Sequence, residues 1–205
     1  MTGFAQWLDT VFAGFDKALL GMYHALAEGA GGFATPFLKL FSWAGEDGIF
    51  LIVLSVVLLL FKKTRKSGFA MLVALLIGDV LCNTVIKDIV QRARPFHHTE
   101  AAFYEWWQYV GAMEVGKYSF PSGHTTCAMS VMGALSITGD RKWLWFTIPF
   151  VVFTGMSRNY FMVHYPTDVL MGVIVGAVAA VLGVWVVNAF VKYILPKVKN
   201  LYKNT

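Results

Sequence analysis

Between residues 46 and 191 the chain alternates apolar runs with short polar interruptions, and the pattern predicts five helices. They fall at roughly 46–62, where the apolar core reads IFLIVLSVVLLLF, then 68–90, 122–138, 142–159 and 166–191. Residues 4–28 follow a different pattern. Phe4, Trp7, Leu8, Val11, Phe12, Phe15, Leu19, Met22, Tyr23 and Leu26 recur at helical spacing, while Gln6, Asp9, Asp16, Lys17, His24 and Glu28 interrupt any continuous apolar run. This predicts an amphipathic helix lying on a membrane surface, its aromatic face among acyl chains and its charges in water. Gly29, Gly31, Gly32 and Pro36 predict a break, followed by a second short helix over 36–44. About 30 residues separate the second and third runs, rich in aromatics (FYEWWQY). Trp106 and Trp107 in this loop suit a membrane–water interface.

Composition sharpens the class. Of the 205 residues, 57% are hydrophobic and 14% charged, with a mean hydropathy of +0.60. A soluble domain of this length carries more charge. The expected fold is therefore all-α: an integral membrane helical bundle of about five transmembrane helices plus an N-terminal amphipathic interfacial helix. It reads as a single domain, with an interfacial N-terminal segment (1–45), a helix bundle (46–191) and a basic tail (192–205). Several apolar cores fall short of the ~20 residues of a typical span, so snorkelling Lys and Arg must supply the rest. The net charge of +5 does not point to nucleic acid, because no basic stripe is interleaved with aromatics. Cys82 and Cys127 fall inside apolar segments and read as core residues rather than a disulfide or metal pair. The first 16 residues hold no Lys or Arg. A cleavable signal needs a basic start, so the chain is expected to be held in the membrane by its own spans.

Charge placement predicts the topology. Runs one and two join at KKTRK, runs three and four at TGDRK, and the tail reads KYILPKVKNLYK. Strict alternation puts these on one side, with 10 of the 17 basic residues. The positive-inside rule makes that side cytoplasmic. The polar stretches KDIVQRARP (87–95), FPSGHTT (120–126) and SRNYFMVHYPTD (157–168) then face outward together.

Those stretches hold the candidate chemistry. Lys87, Arg94 and Arg158 gather at one membrane edge, where cations are costly, and three of them converging suggest an anion. A helix C-terminus tolerates a cation, which would account for Lys87 alone but not for all three. Ser122 suits an N-cap, Gly123 lets a ligand approach the backbone, and the free N–H groups of a helix start favour negative charge. Taken alone, that motif also fits a plain capped helix with a surface histidine at His124. His164 and Asp168 are four residues apart and straddle Pro166, a helix-starting position. The carboxylate can hold the imidazole in one tautomer. Two histidines, a carboxylate and three cations in one small area suit phosphoryl transfer. Asp79 and Asn83 share a helix face with Lys87. They either orient the lysine or join helices by hydrogen bonds, and the second reading is preferred. His97, His98 and Glu100 stand close enough to imitate metal ligands but read as solvated loop residues. Glu100, Glu105 and Glu114 read as the acidity of the outer loop.

Three motifs now stand in order: Lys87, six residues, then Arg94–Pro95; PSGH at 121–124; and Ser157–Arg158, five residues, His164, three residues, Asp168. This set resembles the type 2 phosphatidic acid phosphatase superfamily, shared with vanadium haloperoxidases, and the resemblance covers most of the chain from the first run onward. It implies that His164 attacks phosphorus and forms a phosphohistidine, that Asp168 orients it, and that His124 protonates the leaving oxygen. It implies further that Lys87, Arg94, Ser122, Gly123 and Arg158 hold the phosphate, and that no metal or other cofactor is needed. The expected partners are the bilayer and a lipid phosphate or diphosphate. Undecaprenyl diphosphate is the first choice, ahead of phosphatidylglycerophosphate and phosphatidic acid. Transfer to an acceptor other than water is a second enzymatic reading. A non-catalytic lipid-phosphate binding or transport protein is a reading of another class, against which the histidine pair argues. Many members of the superfamily have six spans; here the amphipathic stretch stands in place of the first.

Overall fold

The computed structural model describes residues 1–98 and 102–196, and among these every regular element is helical. The elements are α1 (Gly3–Val11), α2 (Ala13–Ala44), α3 (Ile49–Leu60), α4 (Arg65–Asp79), α5 (Lys87–Val90), α6 (Phe103–Tyr109), α7 (Gly123–Thr138), α8 (Leu144–Tyr160) and α9 (Pro166–Ala189). A π-helical stretch, Val80–Ile86, joins α4 to α5, and a second, Phe190–Ile194, extends α9. The five expected helices are present at nearly the expected bounds.

Helix α7 forms the centre of the bundle, packed between α4, α8 and α9. Its buried face is built of small and medium side chains, among them Ala128, Val131, Met132, Ala134 and Leu135. On α9 small residues turn inward (Gly172, Gly176, Ala179, Ala180, Gly183), while Leu170, Ile174, Val178, Val181 and Trp185 face out. A Cβ on Gly176 would sit 2.6 Å from the Met129 Cβ and from the Thr126 carbonyl oxygen, so glycine there sets how closely α9 approaches α7. Small residues inside with large apolar residues outside is the arrangement expected in lipid, where close packing rather than water exclusion holds helices together. Ile52, Val53, Val56, Leu60, Trp145, Ile148 and Val152 extend the same outward apolar belt.

Two stretches, Arg65–His97 and Pro166–Ile194, are long and apolar enough to cross a membrane. A third is reached if α2 and α3, bent by 59° at their junction, count as one span. Helices α7 and α8, of 16 and 17 residues, are shorter than an ordinary span.

The N-terminal expectations need correction. The expected break is present as a kink: Ala30 leaves the helical region (φ −137°) and divides the 32 residues of α2 into two helical segments, but the second begins before Pro36 and carries it in its interior. Proline clashes with the carbonyl four residues earlier. Here that residue is Gly32, and the nearby kink takes up the distortion. Tertiary contacts hold the helix across it. Thr35 and Tyr160 share a hydroxyl hydrogen bond of 2.6 Å, and Phe37 and Phe41 pack on Phe153. A further break, not expected from the sequence, falls at Phe12, between α1 and α2. Residues spread along α2, from Asp16 through Thr35 to Ser42, all bond to one end of the bundle, at Arg158, Tyr160 and Thr167. Helix α2 therefore lies across that end. Of the acidic residues on the polar stripe of 4–28, Asp16 on α2 is buried and Asp9 on α1 is largely so, while Glu28 is exposed. Trp106 and Trp107 are half-buried, stacked on His24 and Phe96 respectively, and fasten α6 over α2 and the loop beneath it.

Candidate active site

The end of the bundle crossed by α2 contains a cavity of about 720 Å³. Lys87, Arg94, Gly123, His124, Arg158 and His164 line it, six of the eight residues expected from the motifs. Ser122 and Asp168 are buried behind its wall. Away from this polar end the lining turns apolar, with Ile52, Leu72, Leu75 and Leu76.

Each side chain is placed by local structure. His164 follows a tight turn after α8, in which Met162 adopts a left-handed conformation (φ 55°) and the Val163 N–H donates to the Arg158 carbonyl at 3.2 Å. Pro166 then starts α9, and its fixed φ suits that position. Asp168, on the first turn, reaches back to accept the Tyr165 N–H at 2.9 Å. The capping geometry of α9 thus fixes the carboxylate. Its Oδ2 lies 3.6 Å from His164 Nδ1 and also accepts the Ser119 hydroxyl. The other imidazole nitrogen, Nε2, lies 3.3 Å from Arg94 Nη1. Burial, with Arg94, Arg158 and Lys87 nearby, pushes the pKa of His164 well below the usual histidine value. The ring is therefore neutral at physiological pH. Nδ1 faces Ser119 Oγ at 3.5 Å and Asp168 Oδ2 at 3.6 Å; with the proton on that side, Nε2 carries the free lone pair.

The cations are held from behind. Arg94 donates to the carbonyls of Gly116 and Val163. Arg158 donates to Ser42 Oγ at 2.6 Å, while its Nε is buried without a hydrogen-bond partner. Lys87 donates to Asn83 Oδ1 at 2.7 Å, and Asn83 in turn donates to Asp79 Oδ1 at 2.6 Å. Asp79 and Asn83 therefore form the ladder that orients the lysine, and the helix-joining reading preferred from sequence is not the one observed. The ladder rises through the π-helical stretch, a distortion frequent at functional sites.

Gly123 opens α7, where a Cβ would come 3.2 Å from Asn83 Oδ1 and 3.4 Å from Lys87 Nζ. Glycine lets the helix start meet the lysine. Ser122 occupies the N-cap position in an extended conformation, but its hydroxyl bonds to Thr125 Oγ1 at 3.0 Å rather than capping the helix. Its N–H donates to the Asp168 carbonyl at 3.0 Å, tying the start of α7 to that of α9. His124 projects from the first turn of α7 against Gly45.

Sequence reasoning missed several participants. Arg92, inside the first motif, bonds Asp168 Oδ1 at 2.7 Å. Ser119 and Ser42 support Asp168 and Arg158 through contacts that no spacing announces. Glu114, read as loop acidity, lines the cavity, as do Glu46 and Asp79. His97 lies on a short 3₁₀ turn with its ring edge-on to Phe96. Glu100, named with it, lies outside the described residues.

The model of the PAP2 superfamily matches residues 67–192, more than half of the chain. The chain belongs to this superfamily. The PAP2 match begins within α4, so α1, α2 and α3 lie outside it. Among curated proteins the chain is similar to an undecaprenyl-diphosphatase of Sulfolobus acidocaldarius, 32% identical over 62% of this chain and 58% of that protein. It is also similar to a lipid A 4′-phosphatase of Porphyromonas gingivalis, 33% identical over 62% of this chain and 56% of that one. The chain thus spans little more than half the length of these relatives. Among solved structures, that of a transmembrane PAP2-type phosphatidylglycerolphosphate phosphatase from Bacillus subtilis superposes with a TM-score of 0.65 at 20% identity. It covers 93% of this chain and 94% of that one, and so shares the membrane PAP2 fold.

Proposed function

We propose that this chain is a membrane lipid phosphatase acting through a phosphohistidine. The carrying observation is one cavity in which His164, backed by the buried Asp168, a second histidine and three cations share a polar end, while Ile52, Leu72, Leu75 and Leu76 make an apolar stretch of the wall. A lipid phosphate has that same division. In the proposed first step His164 Nε2 attacks the terminal phosphorus as its bond to the leaving oxygen breaks (the lipid oxygen of a monophosphate, the bridging oxygen of a diphosphate), and protonated His124 gives its proton to that oxygen. Lys87, Arg94, Arg158 and the α7 N-terminus hold the remaining oxygens, and the Arg94 donor now on Nε2 moves to one of them. In the second step water attacks phosphorus, His124 takes its proton, and the N–P bond breaks to release phosphate.

Undecaprenyl diphosphate is the proposed substrate. Recycling of a carrier lipid calls for a phosphatase at the outer face, and an undecaprenyl-diphosphatase is among the relatives. Glu46, Glu114 and Asp79 in the wall favour phosphatidylglycerophosphate as a second choice, since carboxylates can accept from glycerol hydroxyls. The test is phosphate release by purified protein from a panel of lipid mono- and diphosphates, with EDTA present. Release is expected to persist under chelation and to be inhibited by orthovanadate. Loss of release on chelation, restored by a divalent ion, would overturn the metal-free mechanism. Release from none of the panel would overturn the phosphatase reading itself.

The proposed arrangement is a single domain with five spans, α1 and α2 at the outer surface, and the cavity facing away from the cytoplasm. Lys62, Lys63, Arg65, Lys66, Arg141, Lys142 and Lys192 lie at the helix ends opposite the cavity, which supports the positive-inside assignment. Single cysteines placed in the 102–118 loop are expected to react with an impermeant reagent on intact cells, and cysteines at 62–66 only after lysis. The reverse pattern would invert the topology.

A further inference from the structure

Arg92 is the most elaborately bonded side chain among the described residues, and the proposed chemistry gives it no role. It is 1% exposed and does not line the cavity. Its Nε donates to Asp9 Oδ1 at 2.7 Å and its Nη2 to Asp16 Oδ2 at 2.9 Å. Its Nη1 donates to Thr167 Oγ1 and to Asp168 Oδ1, both at 2.7 Å. The guanidinium lies over the Tyr165 ring, 3.9 Å from its centre. Asp16 also accepts the Thr167 N–H at 3.0 Å and the Thr167 hydroxyl at 2.8 Å, on the first turn of α9. Its bonds join residues as far as 151 positions apart in sequence. Two of its carboxylates come from α1 and α2, outside the family-matched segment.

Charge explains the arrangement. Asp168 is fully buried. A buried carboxylate stays ionised only when paired and fully hydrogen-bonded. Among the described residues its ion-pair partners are Arg92 and His164. Arg92 alone would keep Asp168 ionised but would also draw its charge away from the imidazole. Asp9 and Asp16, bonded to the other edges of the same guanidinium, absorb that positive charge. Oδ2, held by Ser119 and the Tyr165 N–H, is then left to face His164 Nδ1 with its charge intact.

We propose that Arg92 is a positioning residue for the His164–Asp168 pair, and that Asp9 and Asp16 make α1 and α2 part of the active site by holding Arg92 in place. The N-terminal helices thus set the basicity of the nucleophile, whatever part they play in admitting lipid. The inference rests on the phosphatase reading for its kinetic consequences but not for its geometry.

The test is a double-mutant cycle between Arg92→Gln and Asp168→Asn, in variants whose thermal unfolding in detergent shows them folded. Arg92→Gln is expected to lower kcat by about tenfold to hundredfold, the range found when the group behind a working side chain is lost, while KM and vanadate inhibition stay within about twofold. In the Asp168→Asn background it should cost no more than about twofold further, because the two act as one unit. Arg92→Lys, which keeps the charge but not the fork, should recover part of the rate. Asp9→Asn, a milder change at the less deeply buried edge of the network, should lower kcat severalfold with KM unchanged. Equal losses in both backgrounds, or a loss carried in KM, would overturn the positioning role. So would an unchanged kcat in Arg92→Gln or in Asp9→Asn. Nitrogen NMR of the five histidines, with His164 assigned by its absence in His164→Ala, separates this inference from the function. His164 should be an Nδ1–H tautomer in the wild type and should lose that preference in Arg92→Gln, whether or not the protein releases phosphate. An unaltered tautomer in Arg92→Gln would overturn the inference even in an active phosphatase. Absence of turnover in the wild type would overturn only the phosphatase reading.

Discussion

Replacing His164 with alanine is expected to abolish turnover, lowering kcat by on the order of 10⁴-fold or more, as loss of a nucleophile does elsewhere. His164 is the residue on which the whole arrangement converges. Asp168 faces one ring nitrogen and Arg94 the other, and the ring is 1% exposed. Without it the cations and the α7 N-terminus remain, so lipid phosphate and vanadate should still bind with affinities within a few fold of the wild type. They have no group with which to form the N–P bond, and His124, placed at the leaving oxygen, is on the wrong side of phosphorus to activate water in place of His164. The measurement is phosphate release paired with acid-labile phosphoenzyme trapping from a ³²P-labelled lipid phosphate. A variant that keeps more than a trace of turnover, or still forms an acid-labile phosphoenzyme, would remove His164 from the nucleophilic role.

The parts of this site that the sequence made legible are those where chemistry is local. Helix bounds came from apolar runs: α4 through α5 was expected at 68–90 and is found from Arg65 to Val90. The start of α9 was readable because Pro166 and Asp168 each act within a single turn. The motif residues were readable from their types and spacing, which the superfamily shares. What was hidden depends on contacts between distant segments. Asp9 and Asp16 sit on the polar stripe of an amphipathic pattern, and a carboxylate with no local partner reads as solvated. The partner, Arg92, is 76 residues beyond Asp16. One signal was available: the two acids are seven residues apart, the spacing of one side of a helix, so a single partner could draw on both. That α2 resumes directly beyond its kink at Ala30, with Pro36 inside it, was hidden for a related reason. Gly29, Gly31, Gly32 and Pro36 are unfavourable in an isolated helix, but packing of Phe37 and Phe41 on α8 offsets that cost. The ladder of Asp79, Asn83 and Lys87 was visible as a spacing. Its direction into the cavity could not be read without the position of Gly123.

His124 should reveal its role by which substrates miss it. It lies on the first turn of α7, half-buried in the cavity wall, and packs so closely on Gly45 that a Cβ there would come within 2.9 Å of its ring. A proton donor must reach the leaving oxygen, on the far side of phosphorus from the nucleophile. His124 and His164 enter the cavity from different helices, α7 and the turn before α9, which allows that in-line placement. His124→Ala is expected to lower kcat for lipid monophosphates by about 10²–10⁴-fold, the usual worth of a general acid. An alkoxide leaving group needs the proton. An aryl oxide such as p-nitrophenolate is stable without it, so the same variant should lose far less on p-nitrophenyl phosphate, on the order of tenfold. A residue that only binds phosphate would affect both substrates alike and would appear in KM. The decisive quantity is therefore the ratio of the two losses. A ratio near one would remove His124 from proton transfer and leave it a phosphate ligand. A ratio well above one, with KM steady, assigns it to the leaving oxygen and requires that its proton be restored, by the attacking water, before each new lipid is cleaved.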